Sequence, residues 1–351
     1  MFVYENKRHF MLLVDIPCRA VKLDKYYLLL MLCMFGLFGC ESDDNQSMQT
    51  GEIVKIGRLI CGGHLPLAIV EKKYQQNLKS FKLQSVQKYD WGEVIAEIKS
   101  GELAGTFILS PLAMNLIHDG FSGKIVLMSN RNGNGFILAK KFKSIEELKE
   151  TRSIIAVPHM YSQHHVLLHT VLQQHDIPAK NIKVLGMPPR DMINSLRNGE
   201  IDGFVVGEPE GNRSINLGVG WMAAISPQIW KDHMDHVFIV ADDFINEQPD
   251  KLQKLVNELV RAGEFIENNA YEAAVMGEDC TGTQAKIFEK VLTIPADRIS
   301  YKNMMVSEKD IQEMSEKLVE MELWEKIPDH LNENYFDMSF VIRAEKTMRN
   351  K

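Results

Sequence analysis

Two dodecapeptides constrain this chain more than any other feature. Ser100–Pro111 reads SGELAGTFILSP and Asn198–Pro209 reads NGEIDGFVVGEP, with four of the twelve positions identical. Each copy runs from a helix end through Gly-Glu, an aliphatic residue and a second glycine into an apolar strand. A proline follows at the same offset. Between and around them, short β-rich runs alternate with helical ones. Glu52–Leu59, Lys82–Tyr89 and Gly105–Leu109 read as strands separated by helices Leu65–Gln76 and Gly92–Ser100. A second series has strands Ser153–Val157, Ile182–Leu185 and Gly203–Val206, with helices His164–His175 and Arg190–Arg197 between them. This spacing implies βαβ units and largely parallel sheets. Helical periodicity then buries Leu252, Leu255, Val256, Leu259 and Val260, and later Ile311, Met314, Leu318 and Met321.

One plan used twice predicts two α/β lobes, each a mostly parallel sheet flanked by helices, with the ligand cleft between them. The expected boundaries are residues 50–138 plus 240–351 for lobe one and 139–239 for lobe two. The crossings are expected at 130–140, which holds most of the polar, Gly-rich break Ser129–Gly135, and at 236–244. Such a pair of lobes closes like a hinge on a small ligand.

The N-terminus reads as an address. Leu28–Phe38 (LLLMLCMFGLF) is uncharged and apolar, follows Lys22 and Lys25, and ends in Leu37-Phe38-Gly39-Cys40. It is short for a membrane span but right for the apolar part of an export signal. The box resembles that of bacterial lipoproteins, which implies removal of residues 1–39 and lipidation of Cys40. Residues 40–51 form a polar tether. Formal charge is −7 for the whole chain. Loss of the signal, with five basic and three acidic side chains, leaves about 312 residues at about −9. That acidity argues against nucleic acid as a partner. The expected location is the bacterial cell envelope, anchored to a membrane and facing the periplasm or exterior.

Met187–Gly211 (MPPRDMINSLRNGEIDGFVVGEPEG) and Ser226–Val237 (SPQIWKDHMDHV) resemble the nitrate- and bicarbonate-binding lipoproteins of ABC importers. Asn130–Leu138, Ser162-Gln163-His164 and Trp91 are similar to further features of that family. Sulfonate, taurine and thiamine-precursor binding proteins are its wider relatives. The resemblance implies the two-lobed periplasmic-binding-protein fold (type II), a small and anionic solute, and permease and ATPase subunits as partners. It implies no cofactor. Glu210-Gly211, Gly62-Gly63-His64 and Asn134 depart from the family pattern beside the expected cleft, so ligand identity is the least transferable part.

Seven residues are candidates for ligand contact. Ser162 and His164 open a helix, whose free N–H groups suit an anion, although Ser162 equally serves as an N-cap. Trp91 starts a helix and offers its indole N–H, or packs in the core. Lys231 either neutralises an anion or pairs with Asp232 at the surface. Glu208 either accepts a hydrogen bond from a protonated ligand or braces the hinge. Asn134 and His64 complete the set. A rival reading takes the His-rich stretch 159–175 as a metal-capture surface, since His165 and His169 share a helix face. Five cysteines without a C-x-x-C pair leave Cys61 and Cys280 in the mature chain, with their pairing open. G-x-S-x-G, P-loop, dinucleotide-glycine and H-E-x-x-H motifs are all missing, so no enzymatic activity is expected.

Overall fold

The computed structural model describes residues 52–350. The expected export signal, the lipidation candidate Cys40 and the expected tether lie outside the described residues. No helix among the described residues is long and apolar enough to cross a membrane.

Two five-stranded sheets carry the fold. The first contains β1 (Glu52–Arg58), β2 (Phe81–Gln87), β3 (Gly105–Leu109), β4 (Gly123–Met128) and a late strand, β11 (His236–Ala241). After a two-residue strand, β5 (Arg131–Asn132), the second sheet is built from β6 (Asn134–Ala139), β7 (Ser153–Val157), β8 (Ile182–Gly186), β9 (Gly203–Gly207) and β10 (Gly220–Ile225). The first sheet runs β2-β1-β3-β11-β4 and the second β8-β7-β9-β6-β10. In each, three parallel strands are followed by an antiparallel one. The two repeat copies end in β3 and β9, which hold equivalent places.

The repeated second glycine has a packing cause. A Cβ on Gly105 would stand 2.7 Å from the Ile239 carbonyl of β11, and one on Gly203 2.6 Å from the Ile137 carbonyl of β6. Every residue of β3 and β9 is buried, as expected of strands covered on both faces. On one face of the first sheet, the helix Pro249–Asn268 packs Leu252, Leu255, Val256 and Leu259 with Phe107 and Phe238. On the other, Glu308–Glu320 contributes Ile311, Met314 and Leu318 to a cluster with Ile108, Val237 and Ile239.

The chain changes sheets at residues 129–133 and 226–235, upstream of the boundaries read from sequence. The polar break ends at Gly133, because Asn134 already pairs with Gly207 in the second sheet. Likewise His236 pairs with Leu109 in the first. Asn132, Gly133 and Asp232 adopt left-handed φ values of 58°, 91° and 58° at these crossings, conformations that Asn, Gly and Asp tolerate best.

Candidate functional site

β1, β3, β7 and β9 all point their carboxyl ends at one place, and β11 begins there because it runs the opposite way. Between these ends lies a cavity of about 20 Å³, room for roughly one water molecule. Cys61, Trp91 and His236 line it from the first sheet's side, and Pro158, His164 and Gly207 from the second's. Larger hollows exist elsewhere; one of about 410 Å³ lies at the opposite end of the first sheet, around Glu52 and Glu102. Its lining comes from the first sheet's end and the elements beside it, with nothing from the second sheet, so the small cavity is the stronger candidate.

Local structure fixes each wall. Asp90 caps the helix Trp91–Lys99 by accepting from the Glu93 N–H at 3.0 Å, which sets Trp91 at the rim. Cys61 is extended and caps the short turn Gly62–His64; its Sγ accepts from the Gly63 N–H at 3.3 Å. Gly207 leaves the cavity open: a Cβ there would stand 3.2 Å from Cys61 Sγ and 3.6 Å from His164 Nε2.

Behind the cavity sits a buried carboxylate, Asp235. Its Oδ1 accepts from Asn134 Nδ2 at 3.1 Å and from Gln163 Nε2. Its Oδ2 accepts from Asn130 Nδ2 at 2.7 Å and meets His236 Nδ1 at 3.0 Å. Burial alone would raise its pKa, but the charge and hydrogen bond of His236 outweigh it and hold the carboxyl below the usual range. For His236 burial also opposes charge, yet the Cys61 sulfur and Asp235 push it up to about 10. His164 is the converse case: burial, only partly offset by Asp235, lowers it to about 3. The site therefore holds one cationic imidazole and one neutral one, facing each other across the cavity.

The candidates from sequence divide. Trp91 and His164 line the cavity, and neither the indole N–H nor either His164 ring nitrogen has a hydrogen-bond partner. Asn134 lies just behind, its side-chain Oδ1 unpartnered. His64 is fully buried beside His236, with ring centroids 4.8 Å apart. Ser162 is the cap of its helix, accepting from the His165 N–H at 3.1 Å, and is not among the lining residues. Glu208 is not among the lining residues: its side chain meets Arg298 and accepts from the Asn212 N–H, and its carbonyl accepts from Gly62 N–H at 2.8 Å. Lys231 is exposed in the second crossing and does not reach the cavity. An exposed turn there leaves its ammonium hydrated.

The His-rich helix does not converge as a metal site either. His165 bonds the Met160 carbonyl, His169 lies 3.5 Å from Glu320, and His175 faces Glu146. Cys61 and Cys280 are both free thiols. Three residues absent from the sequence candidates prove central here: Cys61, Asp235 and His236. Their signal was positional, a Cys-Gly-Gly-His turn at a strand's carboxyl end and an Asp-His pair opening the return strand.

Fold and site together define a two-lobed periplasmic-binding-protein architecture with its cavity at the facing strand ends. The chain belongs to the NMT1-like family, whose model matches residues 49–277. It is 23% identical over 273 residues to the nitrate/nitrite binding protein NrtA of Nostoc, covering 65% of this chain and 62% of that protein. It spans only about a third of the length of other curated relatives it matches. Among solved structures it superposes on the nitrate-binding protein NrtA of Synechocystis with a TM-score of 0.76 at 18% identity, over 86% of this chain and 90% of that one. A zinc-bound ligand-binding component of an ABC-type import system from Staphylococcus aureus also gives 0.76, at 20% identity over 84% and 99%.

Proposed function

We propose that this protein is the lipid-anchored substrate-binding component of an ABC importer, capturing a small solute between its lobes and delivering it to a membrane permease and its ATPase. The observation that carries the reading is the cavity: placed at the strand ends of both lobes and lined by unpartnered polar atoms on Trp91 and His164. Buried polar atoms without partners are costly, and a bound solute would relieve that cost. Relatives named for nitrate and bicarbonate supply the solute class. The donors suit it: an indole N–H, a neutral imidazole and the cationic His236. A nitrate- or bicarbonate-sized anion, with four heavy atoms, needs less expansion of this cavity than an alkanesulfonate does. Residues Trp91, His164 and His236 are the proposed contacts, with Asn134 and Asp235 holding them from behind.

A thermal-unfolding series on the full chain tests this with nitrate, bicarbonate, taurine and an aliphatic sulfonate. The expected result is a rise in midpoint with nitrate or bicarbonate that grows logarithmically with concentration above Kd. No shift with any of these anions would remove the anion reading.

A further inference from the structure

Anion capture uses His236 but gives no task to Cys61 beside it or to His64 packed behind it. Cys61, His64 and His236 each offer a ligand atom, and the three atoms lie within 4.8 Å of one another. Cys61 Sγ stands 3.7 Å from His236 Nε2. In a tetrahedral zinc site with Zn–S near 2.3 Å and Zn–N near 2.05 Å, sulfur and nitrogen sit about 3.6 Å apart.

The two imidazoles are held as metal ligands are. Metal-bound histidines place their far nitrogen on a carboxylate or a backbone carbonyl, which orients the near one. His236 has Nδ1 on Asp235 at 3.0 Å, and His64 has Nδ1 fixed by the Leu59 backbone, 3.1 Å from both its carbonyl and its N–H. Each Nε2 is thereby left over: that of His236 turns to Cys61, and that of His64 is buried with no partner at all. The turn that assembles them is built for close approach. A Cβ on Gly63 would stand 2.4 Å from His236 Nδ1, and one on Gly62 2.6 Å from the Glu208 carbonyl. The Gly-Gly pair is what lets residues 61 and 64 reach the start of β11.

We propose that Cys61, His64 and His236 form a binding site for a borderline transition-metal ion of the zinc type, with its fourth position open to the cavity. One thiolate and two imidazoles suit zinc and its neighbours and do not suit calcium or magnesium, which take oxygen ligands. On binding, sulfur coordinates as the thiolate and His236 as the neutral imidazole, so any thiol proton and the proton on His236 Nε2 pass to the buffer and affinity falls as the solution is acidified. Across the cavity, His164 and Gly207 of the second sheet border the open position, where the captured solute would become the exogenous ligand. The inference rests on the proposed capture cavity but assigns it a metal.

The test uses the full chain, stripped with a chelator and titrated with zinc chloride or cobalt(II) chloride. Zinc is expected to bind with one equivalent that requires Cys61, to raise the unfolding midpoint, and to protect Cys61 from iodoacetamide in peptide mapping. The cobalt form is expected to show a thiolate-to-metal charge-transfer band. Cys61→Ser should lose that band and weaken zinc binding at least about a hundredfold, since even outer-shell changes cost tenfold to a hundredfold. Cys61→Ser should also keep its far-ultraviolet circular dichroism, and the alkylation readout on the unmutated chain needs no variant. Zinc that stabilises Cys61→Ser equally, or leaves Cys61 as reactive as before, overturns the metal site. If nitrate or bicarbonate still stabilises the chain in that case, solute capture stands and only the metal falls. If neither metal nor anion moves the midpoint, both fall.

Discussion

Replacing Asp235 by alanine is expected to cost about 3–5 kcal/mol of stability, the range for removing one partner of a buried ion pair. The carboxylate is 1% exposed and receives hydrogen bonds from His236, Asn130, Asn134 and Gln163. Alanine deprives all of them of their acceptor and leaves the His236 cation without its counter-charge. Urea unfolding measures the loss; a change below about 1 kcal/mol would show that the network is not what holds the crossings together. The pH dependence gives a second readout. Asp235 has a lowered pKa in the fold, so its contribution is present above about pH 4 and is lost as pH falls below that. His236 is raised to about 10, so its contribution is complete below about pH 6.5 and fades as pH climbs toward 10. His164, lowered to about 3, contributes above about pH 6.5 and is lost toward acid. Stability should therefore decline on both sides of neutrality. Without Asp235, His236 is raised less, and the alkaline decline should become shallower.

Glu208→Ala is expected to be comparably damaging, by about 3–5 kcal/mol in the same measurement. Glu208 is fully buried at the end of β9, and Arg298 is only 8% exposed. Alanine would leave that guanidinium buried and uncompensated, and would free the Asn212 N–H. Arg298 is tied to the first crossing as well, because its carbonyl accepts from Gly133 N–H at 2.7 Å. Glu208→Gln keeps an acceptor for Asn212 and should fall between the two. If Glu208→Ala unfolds at the unmutated denaturant midpoint, the hinge-brace role is wrong.

The sequence carried the architecture well because its signals are local. Apolar runs such as Gly105–Leu109 and Ser153–Val157 are strands over the residues read from pattern alone. The repeated Gly-Glu-aliphatic-x-Gly segment marks equivalent strands for a physical reason, the carbonyl that crosses beside each second glycine. The candidate site was less legible because it is assembled from distant segments. Cys61 and His236 meet only because β11 returns antiparallel beside β3, and nothing across their separation of 175 positions announces that pairing. Trp91 and His164 were visible because each sits at a helix start that faces strand ends. Lys231 misled because charge in a turn looks alike whether it faces a cleft or water. Glu208 and Ser162 had two readings each in the sequence. In the fold, Glu208 meets Arg298 and Ser162 caps its own helix.

The central claim is that a small solute is held between the two lobes, against Gly207. Isothermal titration of the full chain and of Gly207→Ala, using whichever anion raises the unfolding midpoint, tests it most directly. The added methyl would stand 3.2 Å from Cys61 Sγ and 3.6 Å from His164 Nε2, filling a space of about 20 Å³ while burying no polar group. One site is expected in the unmutated chain and, in the variant, at least about tenfold weaker binding, corresponding to about 1.4 kcal/mol, with a near-native unfolding midpoint. Undiminished binding in a folded Gly207→Ala variant would contradict it, and would place the solute elsewhere.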